Sequence, residues 1–99
     1  MTQLPIRAVG IPWYRREDYA RVRKLFKDGD QFPATFDHWL KAAEKTKQVY
    51  EADGYIVLKA YIDPSTFPVW CKTRGLDIDA NARTEFGSWF AAQAYRQTH

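Results

Sequence analysis

The sequence predicts an α+β domain of order β-α-α-β-α-α, with four helices packed on a short antiparallel two-stranded sheet. Three observations carry that expectation. Residues 55–62, "YIVLKAYI", alternate between two apolar faces in the period of a strand. Apolar residues recur at helical spacing in the stretches that open near Arg15, Thr35 and Asp79. Pro, Gly, Thr and Asp punctuate the boundaries between these runs.

The elements follow in order. Pro5, Gly10 and Pro12 break up the start, and "IRAV" at 6–9 fits a short strand, placed at a sheet edge by Pro5. It is the weaker of the two strand signals. From Arg15 to Asp28 a helix is expected, because Tyr19, Val22, Leu25 and Phe26 form one stripe, with Gly29 as its stop. A second helix is expected from Thr35 to about Asp53. The Thr35 hydroxyl can accept from first-turn amides, Asp37 suits the positive end of the dipole, and Gly54 suits a left-handed closing residue. Phe36, Trp39, Leu40, Ala43, Thr46 and Tyr50 line one face of that helix. The strand at 55–62 places Ile56, Leu58, Ala60 and Ile62 on one side and Tyr55, Val57, Lys59 and Tyr61 on the other. A two-turn helix to Arg74, stopped by Gly75, comes next. The last helix starts after Asp79 and turns Ala82, Phe86, Trp89 and Phe90 inward.

With two helices between the strands, the expected pairing is antiparallel. A two-stranded ribbon has little stability of its own. It needs helices across a face, and a second copy of the chain would extend it, so a homodimer is expected.

Ninety-nine residues make one domain, spanning 1–99, large enough to bury a core without staples. Four Trp, six Tyr and six Phe exceed what so small an interior holds, so some rings are expected at a surface. The lone cysteine, Cys71, excludes an internal disulfide and fits a reducing compartment. The start has no basic region followed by an apolar run, and "YIVLKAYI" is too short to span a bilayer. The expected location is the cytoplasm.

Residues 33–41, "PATFDHWLK", and 64–72, "PSTFPVWCK", agree at five of nine positions. The similarity stops at their ends, unlike a true repeat. Local physics accounts for the shared letters: Pro breaks the preceding element, Thr caps a helix, and Phe and Trp three residues apart press on the same surface. "FGSW" at 86–89 repeats the spacing. The three Phe/Trp pairs are therefore expected to be interior struts that pin three helices to one apolar centre.

Chemistry is sparse. His38, His99 and Cys71 lack the spacing of a zinc site, so no metal or cofactor is expected. "DIDANARTE" begins like a calcium loop, but Ala82 stands where Gly is needed and Ser88 where Glu is needed. No catalytic residue is assigned. An enzyme using Cys71 is the third-ranked function, because Cys71 neighbours Trp70 in an aromatic helix and His38 projects away from the apolar stripe.

Net charge is +3, concentrated at the start: residues 7–27 carry +5, leaving −2 for the remainder. At 100° per residue Arg16, Arg23 and Lys27 fall within about 40° of one another. With Lys24 and Trp13 they compose a candidate ridge for a nucleic-acid backbone or an acidic partner. Gly87, Ala91 and Ala94 form a small-residue strip on the last helix, suited to helix packing or a dimer interface. The sequence thus points first to a non-enzymatic module that binds a protein or itself, and second to a nucleic-acid accessory protein.

Overall fold

A computed structural model describes residues 7–98. It contains β1 (Ala8–Trp13), α1 (Tyr19–Leu25), α2 (Phe36–Ala52), β2 (Ile56–Tyr61), α3 (Phe67–Thr73) and α4 (Ala80–Thr98). Short 3-10 turns at Arg16–Asp18 and Gly29–Gln31 flank α1. Among the described residues no helix is long and apolar enough to cross a membrane.

The expected mixture of four helices with a two-stranded sheet is present, but the strands are parallel rather than antiparallel. Ala8 pairs with Ile56 and Trp13 with Tyr61. Helix length explains the correction. At about 1.5 Å per residue α2 spans ~25 Å, enough to run back along a strand of ~20 Å. The seven residues of α1 cover only ~10 Å and do not traverse the sheet. One return run, not two, separates the strands, so β2 starts at the same end as β1.

The early end of α1 has its own cause. Phe26 leaves the helix in an extended conformation and enters the core against Tyr14, Phe32 and Phe67. The Lys27 amide then donates to the Ile78 carbonyl at 2.9 Å instead of continuing the helix. Gly29 does not stop α1. It lies where an added Cβ would overlap the Arg23 carbonyl, so the chain folds back on the last turn of α1.

Of the expected first strand, Ile6 lies outside the described residues, and β1 runs on through Gly10 and Pro12 to Trp13. The Ile56 amide donates to Arg7 and the Ile62 amide to Trp13, so odd positions of β1 face β2. Pro12, which has no N–H, therefore faces the outer edge, where no ladder bond is lost. The same alternation turns Val57, Lys59 and Tyr61 toward the outer edge of β2.

The sheet lies between two helices. Gly10 backs onto Gly87 of α4, and on the other face Trp13 meets Trp39 of α2 with ring centroids 5.2 Å apart. α2 begins as read from the sequence: the Thr35 hydroxyl accepts from the His38 amide at 3.2 Å. Gly54, expected as a left-handed closing residue, has φ +93°, and Gly75, expected as the stop of α3, has φ +68°. The Asp79 carboxylate caps α4 by accepting from the Ala82 amide at 3.0 Å. Thr66 does not cap α3. There the Asp63 carboxylate accepts from the Ser65 amide at 2.7 Å, and the Asp63 carbonyl accepts from Thr66 and Phe67.

Candidate functional site

The Phe/Trp pairs share a spacing but not an environment. Phe36 and Trp39 belong to the core, with Trp39 8% exposed and in ring contact with Trp13, Tyr14 and Tyr19. The second pair straddles a boundary. Phe67 is 1% exposed, whereas Trp70 stacks beside it, centroids 5.9 Å apart, on the wall of an open groove. The third pair is a groove wall, with Trp89 37% exposed. The interior-strut expectation holds for the first pair and fails in part for the other two. An i, i+3 spacing aims two rings to one side of a helix without specifying what lies there.

The groove lies between α3 and α4 at the C-terminal end of β2 and encloses about 750 Å³. Trp70, Phe86, Trp89 and Phe90 form its aromatic wall, and Tyr61, the last residue of β2, stands at one end. Trp70 and Phe86 meet edge-on at 5.1 Å, and Trp70 and Trp89 at 5.9 Å. This mutual packing gives the wall a fixed shape without a ligand. Val69, 62% exposed, stands on the same wall and Tyr61 is 41% exposed. Half of the six large exposed hydrophobic residues of the described chain are thus gathered on one concavity.

Two charged residues line the groove, Asp63 before α3 and Arg74 after it. The Arg74 guanidinium lies 4.2 Å over the Trp70 ring and 5.5 Å from that of Trp89. Its Nη1 donates to the Trp70 carbonyl at 3.3 Å and the Thr73 hydroxyl at 3.2 Å. The Trp70 indole nitrogen is buried with no acceptor. An unmet buried donor costs about 1–3 kcal/mol.

The candidate basic ridge does not assemble as one helical face. Arg16 precedes α1 and Lys27 follows its end. Arg16 donates to Asp37 at 2.8 Å and stacks over Phe36 at 4.7 Å, and Lys27 pairs with Asp77 at 3.0 Å. Trp13 is 2% exposed in the core, beneath the Lys59 ammonium, so its ring has no free face for a base. Arg23 and Lys24 share a smaller hollow of about 320 Å³ with Asp30, and the Arg23 Nε is buried without a partner. Of the small-residue strip, Gly87 is closed off by β1, Ala91 is half-buried and Ala94 lies on the groove wall. The strip's first position therefore receives a strand of its own chain.

Cys71 is 1% exposed and burial pushes its thiol pKa up, which keeps it in the unreactive thiol form. His38 is exposed on α2. Among the described residues no group of three or more His, Cys, Asp or Glu is placed to hold a metal ion.

The titrating groups that matter to the fold surround α4. Arg83 makes a two-pronged ion pair with Asp28, at 2.8 and 2.7 Å, and lies 4.6 Å over Phe26 and 4.8 Å over Phe32. The Arg83 hydrogen bonds hold the Asp28 carboxyl below its usual range. Burial raises the Tyr14 phenol well above its ordinary value, against an opposing pull from Arg83. A lowered Asp pKa stabilises the fold above the unfolded value and is lost as pH falls through the folded one. A raised Tyr pKa stabilises below the unfolded value and is lost as pH rises. The raised Cys71 thiol adds to the alkaline loss, so stability is expected to be flat between about pH 5 and 8, and to fall below about pH 4 and above about pH 9. Urea midpoints across pH check this, and Tyr14→Phe should shrink the alkaline fall.

No protein-family model, curated protein or solved structure matches the chain.

Proposed function

We propose that the protein is a non-enzymatic binding module that holds an apolar segment of a protein partner in the groove between α3 and α4. The observation that supports this most is the placement of its rings. Trp13, Trp39, Tyr14, Tyr19 and Phe67 already provide a closed core. The groove keeps further aromatic surface in contact with water, which folding alone leaves unexplained. Exposed apolar concavities with a polar margin are the usual form of a recognition site. Trp is also the residue type most often found as an energetic anchor at interfaces. The groove is open to solvent, so a chain segment can reach it.

The test is a display selection of random peptides on the intact protein, repeated on Val69→Arg. Val69 is 62% exposed, so the charge should change the melting free energy by less than about 0.5 kcal/mol while obstructing the groove. The expected result is enrichment of peptides rich in large apolar residues on the wild type and its loss on the variant. Equal enrichment on both proteins, or none on the wild type, would contradict the reading.

A further inference from the structure

Resting on the groove reading, we infer that the segment bound there carries a carboxylate, seated on Arg74. Four of the fifteen Lys and Arg residues, Arg16, Lys27, Lys47 and Arg83, are each matched to a carboxylate within 3.0 Å, and the others, Arg74 among them, pair with none among the described residues. What sets Arg74 apart is its place, as the one cation among the described residues lining the groove, with no carboxylate bonded to it there. Its position is nonetheless held. One nitrogen caps the end of α3, and the guanidinium plane lies over the indole of Trp70.

A guanidinium has five N–H donors in a planar fork. The bonds to Trp70 and Thr73 occupy Nη1, which leaves Nη2 and Nε, the edge that fits a carboxylate with two parallel hydrogen bonds. Stacking on an aromatic face replaces part of the hydration around the cation and orients it, so little side-chain freedom is lost when an anion arrives. Asp63 stands before the opposite end of α3, a helix ~10 Å long, with one oxygen engaged by the Ser65 amide. The groove is therefore polarised. A ligand lying along α3 with its apolar body on Trp70 and Trp89 meets a cation at one end and a carboxylate at the other. An acid is favoured beside Arg74 and opposed beside Asp63. The occupant that matches is a peptide segment with large apolar side chains next to an Asp, a Glu or a chain-terminal carboxylate.

The experiment uses two probes that differ only at one end, 4-phenylbutyrate and 4-phenylbutanol, titrated into the intact protein by tryptophan fluorescence. The wild type is expected to bind the carboxylate about tenfold more tightly than the alcohol, the factor a charged, two-pronged hydrogen bond supports. Arg74→Leu should bring the two probes to equal affinity while alcohol binding persists, which shows the groove intact. Arg74→Lys, which keeps the charge without the fork, should retain part of the preference. Equal binding of both probes to the wild type overturns the inference and leaves the groove reading standing. A carboxylate preference that survives Arg74→Leu also overturns it. Failure of both probes to bind at millimolar concentration removes the inference and the groove reading together.

Discussion

Gly87→Ala is expected to destabilise the domain by about 3 kcal/mol or more, the upper end of what overpacking costs. The added methyl would overlap the Gly10 carbonyl oxygen and lie 3.1 Å from its carbonyl carbon. Both obstructing atoms are backbone. A flexible side chain could turn away, but a strand and a helix must separate along their whole contact. Gly10→Ala should do the same from the other side, since its Cβ would lie 2.8 Å from the Gly87 carbonyl carbon. Gly75→Ala is the informative contrast. Nothing lies within 4 Å of its added carbon, and only the left-handed backbone at φ +68° opposes it, a cost of about 1–2 kcal/mol. Urea unfolding of the three variants measures the difference. A Gly87→Ala protein within about 0.5 kcal/mol of wild type would mean that β1 and α4 are not in contact.

Phe67→Ala is expected to cost about 3–5 kcal/mol, the range for removing a buried aromatic ring. Phe67 is 1% exposed and stands where the core and the groove meet. Its ring is 6.0 Å from Phe26 on the core side, and 5.9 Å from Trp70 and 5.4 Å from Phe86 on the groove side. The variant should therefore lose stability and peptide binding together, because the Trp70 indole loses the surface it stacks on. Val69→Arg should lose binding alone. Calorimetric melting alongside peptide titration separates the two. A Phe67→Ala protein that melts like wild type would contradict the placement of α3, and one that is destabilised yet binds normally would show that Phe67 does not support the groove.

What the sequence revealed about the fold divides along physical lines. α2, β2, the closures at Gly54 and Gly75 and the cap at Asp79 were legible because each depends on residues within one or two turns of chain. The parallel sheet was not, because it hinges on Phe26 leaving α1 for a core built from distant segments. The Gly10–Gly87 contact joins positions 77 residues apart, and a lone glycine in a strand carries no signal of its partner. Three Phe/Trp pairs were visible, but identical spacing placed one pair in the core and another at water. The surplus of rings pointed to an aromatic surface without locating it. Arg74 gave no signal at all, since its place on the groove and over the Trp70 ring exists only in the assembled structure.

The four tryptophans divide into two packed between β1 and α2, Trp13 and Trp39, and two on the groove wall, Trp70 and Trp89. Indole N–H resonances of the ¹⁵N-labelled protein report each one individually. On addition of a peptide selected by display, the Trp70 and Trp89 signals are expected to shift while those of Trp13 and Trp39 stay in place. Unmoved Trp70 and Trp89 signals, with changes confined to the surface around Arg23 and Lys24, would contradict the account.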